Sequence, residues 1–119
     1  MSDIVSHLTQ DTFTGAVEHG LTVIEFWAGW CGPCRAMAPQ FEQAARLRPQ
    51  YRFTKVDVDA EPAVAGRFAI QSIPTLMVLR DGEPIAAQSG VMSAEELVGA
   101  LDRLAAAPAA AARDERVAA

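Results

Sequence analysis

The chain has 119 residues, ten basic side chains against fifteen acidic ones, and a net charge of -5. Half of its residues are apolar and 21% are charged, a globular balance that excludes wholesale disorder and fibrous repeats. The length suits one domain, no apolar run approaches the roughly 20 residues of a membrane-spanning helix, and the acidic balance offers nothing to a nucleic-acid backbone.

Ile4 to Leu8 reads as a short, weak first strand, and Leu8 to Gly20 as a short helix with Phe13 and Val17 on one face and Gly20 as its stop. Thr22 to Ala28 is a β-branched and aromatic run, the pattern of a strand buried on both faces. A helix is predicted from Cys31 to about Leu47, with Met37, Phe41, Ala44, Ala45 and Leu47 near one side and a kink at Pro39. Phe53 to Asp59 alternates as a strand, and Pro62 opens a short helix to about Phe68. Thr75 to Arg80 is an apolar strand, Asp81-Gly82 is a hairpin turn, and Pro84 to Val91 is its partner strand. Ser93-Ala-Glu-Glu96 is a capping box opening a last helix with Leu97, Val98, Leu101, Leu104 and Ala105 on one face. The order β-α-β-α-β-α-β-β-α implies an α/β fold. Its one mixed sheet has helices on both faces, parallel pairs and an antiparallel final hairpin. The domain is expected over residues 1–104. The Ala-rich segment 105–119, interrupted by Pro108, is expected to be a disordered or frayed helical tail.

The first twenty residues hold no Lys or Arg and no continuous apolar block, unlike a secretory signal peptide. The expected compartment is therefore the cytoplasm, where structural disulfides are rare. The only cysteines, Cys31 and Cys34, are three apart. A disulfide across so short a loop adds little stability, so the pair points to chemistry. In a helix such residues lie about 5 Å apart at Cα, within disulfide range. Cys31 follows a strand and opens a helix, where free N–H groups and the macrodipole favour its thiolate. It is read as the exposed nucleophile, with Cys34, one turn inside, as the shielded resolving thiol. Gly32 leaves the surface bare, and Pro33 removes a donor that the first turn does not use. The competing reading is a zinc half-site. It lacks ligands, since only His7 and His19 could join the pair and both lie on unrelated elements. No metal is expected.

The run F-W-A-G-W-C-G-P-C, followed by S-I-P-T and then Gly90, resembles the thioredoxin family, and specifically its small cytosolic form. The resemblance spans about Ile4 to Leu104. It implies the thioredoxin fold: a central mixed sheet of about five strands flanked by about four helices. It also implies protein-disulfide reduction with Cys31 as nucleophile and Cys34 as resolving cysteine. No cofactor would be bound, and electrons would come ultimately from NADPH through a separate thioredoxin reductase. The implied partners are that reductase and disulfide-containing target proteins, with no nucleic acid or membrane and a monomeric chain. Pro74 matches a cis-proline beside the disulfide, although most X–Pro bonds are trans. The Ile73 backbone matches the edge that pairs with a target chain as an added strand. Trp30, Gly32, Pro33, Ile73, Pro74, Thr75, Gly90 and Val91 match the target-binding surface around the nucleophile. Trp27 matches a tryptophan packed beneath the active-site loop.

Glu25 sits where the family usually has Asp, in the middle of an apolar strand. Burial is expected to raise its pKa; the resemblance places this acid close to the inner cysteine, where it would take the proton of Cys34, and Lys55, the only Lys of the chain, matches the family's lysine near it. The bland alternative is a strand-end acid that reaches solvent. Asp57, Asp59 and Glu61 read as capping and solvated residues, and His7 and His19 as surface residues. Two rival functions remain at this level. An oxidase or isomerase is disfavoured by the Gly-Pro between the cysteines, and a redox-inert structural subunit by the retention of both cysteines.

Overall fold

A computed structural model describes residues 4–107. Its chain order is β1 (Val5–His7), α1 (Gln10–Val17), β2 (Leu21–Trp27), α2 (Gly32–Leu47), β3 (Arg52–Asp57), α3 (Pro62–Arg67), β4 (Thr75–Arg80), β5 (Glu83–Ser89) and α4 (Ala94–Ala106). The five strands form one sheet in the order β1-β3-β2-β4-β5. This is the expected five-stranded mixed sheet with four helices.

Local signals explain most boundaries. Leu8 is buried and its N–H donates to the Lys55 carbonyl, so it continues the pairing with β3 just beyond β1 instead of opening the helix. Thr9 takes the N-cap of α1, with Thr12 completing a reciprocal capping box. The capping box at Ser93 and Glu96 forms as expected. The Asp81-Gly82 hairpin has both central residues at positive φ, the turn whose twist suits antiparallel strands. Strand β5 starts at Glu83 and stops at Ser89 because Gly90, at φ +96°, turns the chain out of the sheet. Pro84 is tolerated in this edge strand beside a register shift at Val78/Leu79. Helix α2 runs on through Pro39 to Leu47, which is exposed and does not join the core face.

Each face of the sheet carries its own core. Helices α2 and α4 cover one face. Met37, Phe41, Leu97 and Leu101 pack there on Val23, Phe53, Leu76 and Val78, with Phe41 edge-on to Phe53 at 5.3 Å. Helices α1 and α3 cover the other, where Phe13, Val17 and Val64 pack on Ile24, Phe26, Val56, Met77 and Leu79. Arg48, Tyr51 and Asp102 tie the end of α2 to α4. The Arg48 guanidinium and the Tyr51 hydroxyl both donate to the Asp102 carboxylate.

One pairing departs from the expectation. Strands β1, β3 and β2 are parallel, but β4 runs antiparallel to β2 as well as to β5. The reason is length. Helix α3 has six residues and spans about 9 Å, whereas a six-residue strand spans about 20 Å. So short a helix does not by itself carry the chain back along the sheet. The chain re-enters near the end where β3 left and runs the other way. Thr75 therefore pairs with Phe26 at the C-terminal end of β2, which brings Ile73 and Pro74 to the start of α2. Helix α4 runs through Ala105 to Ala106. The rest of the expected tail, residues 108–119, lies outside the described residues.

Candidate functional site

Strand β2 ends at Trp27, and a turn closed by the Cys31 N–H on the Ala28 carbonyl leads into α2. Cys31 is the N-cap of α2, with extended backbone, and its Sγ accepts the N–H of Cys34 at 3.2 Å. The free N–H groups and positive dipole end of a 16-residue helix thus face this sulfur. A thiolate there is stabilised for the same reasons. Pro33 lies in the first helical turn, where its missing N–H leaves no gap. Cys31 and Cys34 form a disulfide, with their Cα atoms 5.3 Å apart.

The expected contrast between an exposed Cys31 and a shielded Cys34 is absent in this oxidised state: each is 4% exposed. The bond to Cys34 and the Ile73 carbonyl oxygen, 3.8 Å from Cys31 Sγ, cover the outer sulfur. The Ile73–Pro74 peptide is cis, and the Pro74 carbonyl accepts the Gly90 N–H at 2.9 Å.

The residues matched to the target-binding surface divide into two sets. Trp30, Gly32, Pro33, Gly90 and Val91 are exposed, with Trp30 at 68%. Ile73 is half-buried, while Pro74 and Thr75 are buried and offer little side-chain surface. Trp30 and Ile73 line one groove of about 400 Å³ with Val58, Ile70, Gln71 and Ser72. Val91 lies beyond Gly90 and lines a different depression, together with Met92 and residues of α4.

Glu25 is fully buried at the middle of β2, which excludes a solvent-reaching strand-end acid. Alternation along the strand puts it on the face covered by α2. Its register partner on β3 is Lys55, whose Nζ lies 3.8 Å from Glu25 Oε1. Neither carboxylate oxygen has a hydrogen-bond donor among the described residues. Burial pushes the carboxyl up from its ordinary 4.5 to about 7, and the Lys55 ammonium offsets part of that rise. Lys55 also lies over the Trp27 ring, 4.9 Å from its centroid. Its side chain lines a cavity of about 280 Å³ that also reaches Trp27 and Cys34. Lys55 is thereby the link between the buried acid and the surroundings of the inner cysteine.

The acidic trio is more specific than capping and solvation. Asp57 does hold a local turn, accepting the N–H groups of Asp59 and Ala60. Glu61 accepts the Gln10 N–H at the start of α1. Asp59, however, accepts the indole N–H of Trp30 at 2.8 Å and so fixes the largest exposed side chain beside the cysteines. Nothing local in the sequence marks this pair. Arg35 donates to the Gly29 carbonyl at 2.8 Å and holds the same turn from the other side. His7, read as a bystander, is in register with Lys55 and has its ring 6.4 Å from that of Trp27. Among the described residues no three metal-ligating side chains converge, and no helix is long and apolar enough to cross a membrane.

The site can exchange electrons as thiols and disulfides: one sulfur capping a helix, a second within bonding reach, and a buried acid that titrates near neutrality. Comparison with known proteins agrees with this chemistry. The family model described as Thioredoxin matches residues 4–103. Proteins named thioredoxin from Staphylococcus aureus strains Mu50, MW2 and N315 are each 39% identical over 97 residues. The matched segment covers 81% of this chain and 93% of each relative.

Proposed function

The chain belongs to the thioredoxin family, whose chemistry is dithiol–disulfide exchange, and from that membership we propose that it carries electrons from an NADPH-dependent thioredoxin reductase to disulfides of target proteins. The observation that carries this reading is the Cys31–Cys34 pair at the cap of α2, with the Ile73 carbonyl 3.8 Å from Cys31 Sγ. A redox pair and a peptide edge meet at one point.

In the reduced protein the Cys31 thiolate attacks one sulfur of a target disulfide. The target S–S bond breaks, a Cys31–target mixed disulfide forms, and the other target sulfur leaves as a thiolate and is protonated by solvent. Cys34 then loses its proton to Glu25, by way of the cavity that Cys34 shares with Lys55. Its thiolate attacks Cys31 Sγ, releasing the second target thiolate and closing the Cys31–Cys34 disulfide. Two electrons have passed to the target, and the reductase restores the dithiol. A carboxyl near 7 suits this work, because it can accept a proton at neutral pH and return it to solvent. Lys55 holds Glu25 at that value by opposing the effect of burial.

Trp30, Gly32, Pro33, Gly90 and Val91 receive the target around the nucleophile. The Ile73 backbone pairs with the target chain, with Pro74 and Thr75 shaping that edge. Main-chain pairing against small and apolar side chains admits many partners. The chain works as a monomer, in a reducing compartment such as the cytoplasm, with no bound cofactor. The test is NADPH oxidation with a thioredoxin reductase and insulin, using wild type and Cys34→Ser. Turnover by wild type and arrest of the variant as a mixed disulfide through Cys31 is the expected result. A wild type inert with reductases of several sources would overturn the reductase assignment, even if dithiothreitol still reduced the pair.

A further inference from the structure

Three hydroxyls close a ring around the segment that carries Ile73. Thr75 Oγ1 lies 2.7 Å from the Ser72 carbonyl oxygen. Ser89 Oγ lies 3.1 Å from Thr75 Oγ1 and 3.0 Å from Ser72 Oγ. A hydroxyl has one proton to donate and two lone pairs to accept with, whereas a carbonyl oxygen only accepts. Thr75 therefore gives its proton to the Ser72 carbonyl. Ser89 must then donate to Thr75, and Ser72 must donate to Ser89. The ring starts at the Ser72 hydroxyl, passes through Ser89 and Thr75, and ends on the Ser72 carbonyl, with every hydroxyl proton used. Ser89 is delivered to this place by strand pairing, as the register partner of Thr75 at the end of β5.

We infer that Ser89 is a positioning residue for peptide disulfides: through the hydroxyl ring it holds residues 72–75 so that the Ile73 backbone meets an incoming chain in register with Cys31. The inference rests on the proposed docking of targets along Ile73. Ser89 is the middle member of the ring, and linked hydrogen bonds reinforce one another. Removing its hydroxyl takes the donor from Thr75 and the acceptor from Ser72 in a single change. Cys31, Cys34 and the exposed apolar side chains are left as they were. Ser72 and Ser89 are both exposed, so the freed Ser72 hydroxyl is satisfied by water and the fold loses little. What is lost is the placement of a backbone segment whose carbonyl lies 3.8 Å from the reacting sulfur.

The experiment compares reduced wild type, Ser89→Ala and Ser89→Thr. Second-order rate constants are measured for a disulfide-linked peptide that extends beyond both cysteines and for a small aromatic disulfide without peptide groups. Melting temperatures are recorded alongside. Ser89→Ala is expected to reduce the peptide about three- to tenfold more slowly, on the order of one net hydrogen bond. Its rate with the small disulfide stays within about twofold, and Ser89→Thr, which keeps the hydroxyl, recovers most of the peptide rate. An unchanged peptide rate in Ser89→Ala overturns the inference, as does an equal loss on both disulfides, or a threonine variant as slow as alanine. A wild type that cannot reduce the peptide at all would bring down the reductase reading together with this inference. A competent wild type with an unaffected variant brings down only the inference.

Discussion

Glu25→Gln isolates the effect of one buried charge. Glu25 is fully buried, neither carboxylate oxygen is met by a hydrogen-bond donor among the described residues, and Lys55 stands 3.8 Å away. Its carboxyl titrates near 7 in the folded protein against an ordinary 4.5. Because the folded value is the higher one, the folded state binds more protons than the unfolded state across this interval. The Glu25 contribution to stability is therefore greatest at or below pH 4.5, falls as the pH rises toward 7, and stays low above it. At about 1.4 kcal/mol per pH unit, the full loss is on the order of 3 kcal/mol. Glutamine has the neutral carboxyl's shape and no proton to lose, so it removes this slope. The oxidised variant should match wild type near pH 4.5 and exceed it by roughly 3 kcal/mol at pH 8.5, or about 10 °C in melting temperature for a chain of this size. Urea unfolding followed by tryptophan fluorescence at the two pH values measures the difference, with equal m-values as the check on comparability. A variant less stable than wild type at pH 8.5, or two stabilities falling in parallel between pH 5 and 8, would refute the reasoning. The same substitution removes the proposed acceptor of the Cys34 proton. Release of the mixed disulfide at neutral pH should then slow by roughly 100-fold, the low end of general-base contributions. Unchanged single-turnover kinetics across pH 6–9 would remove Glu25 from the resolving step.

Two further predictions concern groups that sequence alone does not pair. Asp102 is held below its ordinary 3.8 by hydrogen bonds from Arg48 and Tyr51. Its contribution to stability is thus complete above 3.8 and is lost as the pH falls through the lower folded value. Asp102→Asn should melt below wild type at pH 7, and thermal melts at decreasing pH should show the gap closing in acid. A constant gap would mean that packing, not charge, joins α2 to α4. Asp59→Ala releases the Trp30 indole. In a Trp27→Phe background, Trp30 fluorescence should lose anisotropy and target reduction should slow about two- to fivefold, as expected for one exposed charge-assisted hydrogen bond. Undiminished anisotropy would show that the ring is held by other contacts.

Much of the molecule is legible in the sequence because its signals are local. The capping box at Ser93, the Asp81-Gly82 turn and the apolar faces of α2 and α4 each depend on residues a few positions apart. So does the Cys31–Cys34 spacing, which requires only one helical turn to become a bonded pair. The acid at Glu25 is conspicuous for a similar reason: it interrupts a run whose apolar character marks the strand as buried.

The remaining features are set by how distant segments return to one another. The connection through α3 returns to the end of the sheet where β3 left, so β4 runs antiparallel to β2 and carries Ile73 to Cys31. Trp30 meets Asp59 across 29 positions and Ser72 meets Ser89 across 17, partners that no local rule distinguishes from neighbouring polar residues. Lys55 faces Glu25 only because β2 and β3 pair in a particular register, and a slip of one residue would turn each side chain to the opposite face. The elements, the redox pair and the family they resemble can all be read from local patterns along the chain. Which carboxylate meets the tryptophan, which hydroxyls meet between residues 72 and 89, and how far the buried acid is displaced follow from tertiary packing. Periodicity and caps are properties of a short stretch of chain, whereas burial and pairing are properties of the whole packed sheet.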